Sequence, residues 1–157
     1  MFLMLALGCG MGKPKATATT VDASPHELSA NPTIVLTAPE EWAQMSLFGL
    51  HLGDDQTLIP PKKIHFHDDN SGWTKLIDAN RYRITDDGKI DGLGMWDQKL
   101  IEKLGIADEP QIEEKFGKPN DKIKVNEQVT IYHYQGGHLH VLWNGLEKRV
   151  VGVNVMK

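Results

Sequence analysis

The chain has 157 residues, a net charge of −4 and a single cysteine. That length predicts one domain, and one cysteine excludes an intramolecular disulfide. Lys and Arg are scattered without a basic stripe, which argues against a nucleic-acid partner, and no apolar run is long enough to span a bilayer as a helix.

The first nine residues, Met1-Phe2-Leu3-Met4-Leu5-Ala6-Leu7-Gly8-Cys9, are an apolar run, a small residue and a cysteine. The pattern resembles the lipobox of bacterial lipoproteins, and the resemblance implies that Cys9 is lipidated and becomes the mature N-terminus. The membrane would then be engaged through the lipid anchor only, with the protein in the bacterial cell envelope, periplasm-facing or at the surface. No Lys or Arg precedes Cys9, so a start upstream of Met1 is expected. Residues 1–9 read as a signal remnant and 10–32 as a small, polar, proline-broken tether. Residues 33–157 read as a single globular α+β domain.

Thr33 to Leu36 reads as a strand, and Thr37 as the cap of a short helix with Pro39 in its first turn. Residues 48–63 carry no clear periodicity. Ile64-His65-Phe66-His67 alternates and reads as a half-buried strand. Around Asp86-Asp87-Gly88, a three-residue loop pairs Thr85 with Lys89, Ile84 with Ile90 and Arg83 with Asp91. That register puts Tyr82, Ile84 and Ile90 on one face.

Asp97 caps a helix stopped by Gly105, and Asp108 caps a second, with Gln111 as its capping-box partner and Gly117 as its end. Three strands follow at about 129–135, 138–143 and 149–155. A two-residue Gly136-Gly137 turn sets the first hairpin. Two helices and then an antiparallel β-meander predict an α+β fold with helices on one face of the sheet.

The Gly136-Gly137 register places Tyr132, Tyr134, Leu139, Val141 and Trp143 on one face, as the core layer. Ile131, His133, Gln135, His138, His140 and Leu142 share the other. His133 and His140 oppose each other directly. With His65 and His67 as a second His-x-His pair, five strand histidines offer ligands for Zn²⁺, Ni²⁺ or Cu²⁺. The simpler account of these histidines is a solvated sheet face, with no cofactor. The Asp pairs 54–55, 68–69 and 86–87 are explained by turn formation. No nucleophile elbow, phosphate loop or zinc-protease helix motif occurs, so an enzyme is not expected. Trp96 and Trp143 are expected in or at the edge of the core. Trp73 is expected to be exposed and, with Ile131 and Leu142, to form a partner-binding patch.

Gly105-Ile106, Ile112 and Phe116-Gly117 followed by Pro119, with the aromatic strand Ile131-Tyr132-His133-Tyr134, resemble the SmpA/OmlA-type small lipoprotein module. That module is similar in architecture to the β-lactamase inhibitor protein. The resemblance covers about residues 104–157, and a decayed copy is conceivable from Gly49 to Gly53 and on through the 82–92 hairpin. It implies a non-enzymatic envelope lipoprotein that binds another protein, as an interaction or inhibitory module. The alternative reading from the residues is a periplasmic metal-binding protein.

Overall fold

The computed structural model describes residues 36–59 and 72–157. Cys9, the tether, His65, His67 and the strand expected around them lie outside the described residues, as do Thr33 to Val35 of the first expected strand.

Two helices form where the caps predict them. Asp97 accepts from the backbone N–H groups of Lys99 and Leu100 and starts α1 (Gln98–Lys103). Asp108 and Gln111 close a reciprocal capping box at the start of α2 (Glu109–Phe116). Gly117 ends α2 at a φ of 72°, in the left-handed region that a side chain would strain. The first short helix differs from expectation. Pro39–Gln44 is 3₁₀, and its cap position is Ala38; Glu41 reaches back to accept from the Thr37 N–H and hydroxyl.

The strands are β1 (Ser46–Leu47), β2 (Leu50–His51), β3 (Thr74–Lys75), β4 (Arg81–Ile84), β5 (Ile90–Met95), β6 (Asp121–Lys124), β7 (Val129–Tyr134), β8 (Leu139–Asn144) and β9 (Arg149–Met156). Among the described residues, β1 and β2 form a small hairpin. The other seven make one antiparallel sheet in the order β3-β4-β5-β9-β8-β7-β6. One face of this sheet meets the helices and the β1–β2 hairpin. Leu93, Met95, Tyr132, Val141, Val153 and Val155 pack there with Leu47, Leu50, Ile101, Ile112 and Phe116. The α+β fold with a β-meander on short helices is therefore the observed one.

Strand β6 has no counterpart in the sequence reading. All four of its residues are exposed, so it carries no hydrophobic alternation; its pairing with β7 alone defines it.

The sheet is built twice. In β3–β4–β5, Lys75 opposes Arg81, Tyr82 opposes Leu93, Arg83 opposes Gly92 and Ile84 opposes Ile90. In β7–β8–β9, His133 opposes His140, Val141 opposes Val153, Leu142 opposes Gly152 and Trp143 opposes Val150. The register is the same pair for pair, including a bulge at Asp91 in one half and Val151 in the other. The halves meet at β5 and β9, where Gly94 opposes Asn154, flanked by Leu93 with Val155 and Met95 with Val153. An approximate two-fold axis thus passes through the Gly94–Asn154 pair. Each half is a β-meander with its connections on the same edges.

The bulge corrects the expected 82–92 register. Thr85 pairs with Lys89 and Ile84 with Ile90 as read, but Arg83 faces Gly92, not Asp91. Beyond the bulge, Ile90 turns its other backbone edge to Gly53 and Asp54, with hydrogen bonds of 2.7 and 2.8 Å. Ile90 is consequently sealed, while Ile84, opposite it on β4, is 39% exposed.

Candidate functional site

The sheet face turned away from the helices is set by strand alternation. Because Leu93, Met95, Val153 and Val155 point inward, Gly92, Gly94, Gly152 and Asn154 point outward. Opposite them stand Arg83, Arg81, Leu142 and His140. Glycines within strand interiors mark places where another group comes close to the backbone. Here two tryptophans do so. A Cβ on Gly92 would stand 2.9 Å from Cη2 of Trp73, and one on Gly152 would stand 3.1 Å from Cε2 of Trp96. A Cβ on Gly94 would meet both, Trp96 Nε1 at 3.0 Å and Trp73 Cζ3 at 3.3 Å. The three glycines are therefore a floor on which the two indoles lie.

Polar groups fix the indoles. Trp96 Nε1–H donates to Asn154 Oδ1 at 2.9 Å, which holds its ring across the axis of the sheet. The buried Asn80 Oδ1 accepts from the Trp96 backbone N–H at 3.0 Å and fixes the exit of β5 toward α1. The Arg81 guanidinium stacks 4.4 Å from the Trp96 ring centre, and that of Arg83 lies 5.7 Å from Trp73. Arg83 is held by two hydrogen bonds to Asp91, at 3.0 and 2.9 Å. Lys75 is exposed beside Arg81. This half of the outer face is aromatic and cationic.

The other half carries the histidines. His133 and His140 oppose each other on β7 and β8, with ring centres 4.1 Å apart and planes tilted by 34°. Burial pushes the His140 imidazole down to about 4, assisted by His133 and Arg83; a hydrogen bond to the Gly137 carbonyl acts the other way. The Nε2 atom of His133 is buried without a hydrogen-bond partner. His138 does not join them. Gly136 and Gly137 form the expected turn, but Gln135 has a φ of 52° and His138 is right-handed helical, so the strand alternation stops at Tyr134 and Leu139. His138 instead stacks on Trp42 at 4.3 Å, its Nδ1 lying 2.9 Å from the Met156 carbonyl oxygen. Among the described residues, no group of three or more His, Cys, Asp or Glu stands close enough to hold a metal ion.

The expected contact residues are redistributed. Trp73 is half-buried on the glycine floor rather than fully exposed, and Ile131 is half-buried. Leu142, at 8% exposure, is buried beside the β8–β9 bulge and offers no open patch. Trp96 is on the outer face, not in the core, because Met95 takes the inward position next to it. Trp143 does pack against the core. Sequence reasoning missed Trp96, Arg81, Asn154 and the glycine floor. The available signal was Gly92-Leu93-Gly94, an alternating glycine pair inside a strand. Elsewhere, an open cleft of about 410 Å³ lies at the foot of β6, lined by Glu113, Lys118, Pro119, Asn120, Asp121 and Lys122. Four of its six lining residues are charged and none is aromatic, unlike the Trp73–Trp96 face.

No helix among the described residues is long and apolar enough to cross a membrane. No family model matches the chain, and no curated protein matches it. Among solved structures it is similar to the crystal structure of a DUF4309 family protein, YjgB, from Bacillus subtilis subsp. subtilis str. 168. The identity is 12%, the TM-score 0.50, and the match covers 76% of this chain and 93% of that one. At that identity, what the two chains share is the fold.

Proposed function

We propose that this chain is a lipid-anchored protein of the bacterial cell envelope whose domain binds a partner protein through the outer face of the sheet. The observation that carries this reading is the Trp73–Trp96 pair, seated on Gly92, Gly94 and Gly152 and bordered by Arg81 and Arg83. Trp and Arg dominate the binding energy of protein interfaces, and side chains already immobilised lose little entropy on association. The partner is a protein with an acidic surface. Exposed Lys75 and the Arg81 and Arg83 guanidinium groups border the two indoles on this half, with Arg83 paired to Asp91. The lipobox-like Met1 to Cys9 supports the anchor. The two-helix, antiparallel-strand order of residues 98–156 supports assignment of the C-terminal third to the SmpA/OmlA-type module. Binding rather than catalysis is the role this face suits.

The test is capture from an envelope extract with the wild-type domain, Trp73→Ala, and Lys75→Glu. The expected result is one specific protein, released by high salt and lost with either substitution. Recovery unchanged by both substitutions overturns the reading. The anchor is checked separately, by mass spectrometry of Cys9 in the membrane fraction; an unmodified Cys9 with Met1 retained removes it.

A further inference from the structure

The two outermost strands of the seven-stranded sheet differ in what they leave open. At one end β3 is only two residues long, Thr74 and Lys75. At the other, every residue of β6 is exposed. An open strand edge is a template for a further strand. Which groups β6 offers follows from its pairing with β7. The Val125 N–H donates to the Val129 carbonyl at 2.9 Å, so by alternation Val125 and Ile123 turn their backbone groups toward β7. Lys122 and Lys124 turn theirs away from the sheet. In agreement, the Lys122 N–H is met by Asp121 Oδ1 at 2.8 Å, not by β7. The Lys124 N–H and the carbonyls of Lys122 and Lys124 remain for an incoming chain. Side chains alternate between the two faces. Ile123 and Val125, 44% and 57% exposed, share the outer face with Ile131. Lys122 and Lys124 lie on the helix side, where the Lys122 ammonium sits 4.7 Å from the Tyr132 ring centre.

These groups select the occupant. Two copies of β6 pairing antiparallel join their outward groups only by setting Lys122 against Lys122, Lys122 against Lys124, or Lys124 against Lys124. Like charges directly opposed are destabilising, so the edge rejects a second copy of this chain. The same two lysines suit carboxylates. Lys122 already pairs with Glu113 at 2.6 Å, whereas Lys124 makes no ion pair among the described residues. We propose that β6 is the docking edge for an extended acidic segment of a partner protein, added to the sheet as a further strand antiparallel to β6. Acidic residues of that segment stand opposite Lys122 and Lys124 on the helix side. The apolar residue between them packs with Ile123 and Val125 on the outer face. Backbone hydrogen bonds supply affinity for an extended chain, and the acidic–apolar alternation supplies specificity. Running antiparallel, the segment passes Asp121 into the open cleft lined by Lys118, Pro119 and Asn120, which gives it room. The β6 edge lies at the opposite end of the sheet from β3 and β4, so this site does not depend on the partner proposed for the Trp73–Trp96 half.

The probe is a capped synthetic peptide of alternating glutamate and valine, with its lysine–valine counterpart as the control. Each is added to about millimolar concentration to the ¹⁵N-labelled full chain, and amide exchange and chemical shifts are followed by NMR. The glutamate peptide is expected to slow exchange at the Lys124 amide by about tenfold and to shift the Ile123 and Val125 amides. The lysine peptide should leave all three unchanged, and Lys122→Glu/Lys124→Glu should reverse the preference. Lys124 exchange that the glutamate peptide does not slow overturns the proposal, as does an equal response to both peptides. Lys124 protection that rises with protein concentration alone assigns the edge to a second copy and also overturns it. The exchange measurement uses the wild-type chain, so it decides the question even where the double substitution impairs folding.

Discussion

The two halves of the seven-stranded sheet share their register and bulge positions but present different chemistry. Arg81 and His140 are equivalent positions, as are Lys75 and His133, and Arg83 and Leu142. One half carries tryptophans with arginines beside them; the other carries histidines. The inward positions stay apolar in both, with Leu93 matched by Val153 and Ile90 by Val150. Backbone hydrogen bonding fixes register without reference to the outward side chains, while the core constrains only the inward ones. Outward chemistry can therefore diverge between repeats at little cost to the fold. Two surfaces of different chemistry can share one sheet face in this way.

The largest effect is expected where the halves are most alike. Leu93→Ala should cost about 2–5 kcal/mol in urea unfolding, and Val153→Ala ~1 kcal/mol less, by the methylene it does not remove. Equal packing of the two inner layers is refuted if Val153→Ala is the more costly. Next is the glycine floor. Gly94→Ala would place a methyl 2.8 Å from Asn154 Oδ1 and 3.0 Å from Trp96 Nε1. A loss of roughly 1–3 kcal/mol is expected, with a shift in tryptophan fluorescence as the indole is lifted. An unaltered emission spectrum would show that Trp96 does not rest on Gly94. Asn154→Gly makes the axial pair alike in both halves and removes the Trp96 hydrogen bond. About 0.5–1.5 kcal/mol is expected to be lost, and no loss would mean that Trp96 is held by the floor alone.

The smallest effect separates the halves by pH. The His140 imidazole sits at about 4 in the folded chain against an ordinary 6.5, so the unfolded chain binds more protons between those values. Stability from keeping His140 neutral is present above about 6.5 and lost as pH falls toward 4. The groups bearing on this ring are His133, Arg83 and the Gly137 carbonyl. His140→Gln should flatten the decline in melting temperature across that interval. Its counterpart Arg81 does not titrate there, so Arg81→Gln should leave the slope intact. An unchanged slope in His140→Gln would place the titration elsewhere.

The helices and the last hairpin were legible because their signals are local. Asp97, Asp108 with Gln111, and Gly117 are caps, and each acts within one helical turn. The Gly136-Gly137 turn set the register of β7 and β8, and so the opposition of His133 to His140. Other features depended on distant partners. Strand β6 exists because β7 offers it an edge, and its own residues carry no alternation. Arg83 slipped from Asp91 to Gly92 because Gly53 and Asp54 pair with Ile90 from the other side. Trp96 lies outside because Gly152, far along the chain, leaves room for it.

By itself the sequence determined the α+β class, the two capped helices and the shared face of His133 and His140. Those follow from backbone conformational preference and the period-two alternation of strands. Only the tertiary structure decided that the sheet is doubled about the Gly94–Asn154 pair and that Trp73 and Trp96 lie on a glycine floor. It also decided that His138 turns away to Trp42. These are contacts between residues remote in sequence, set by which strand edges find each other and which volumes remain unfilled.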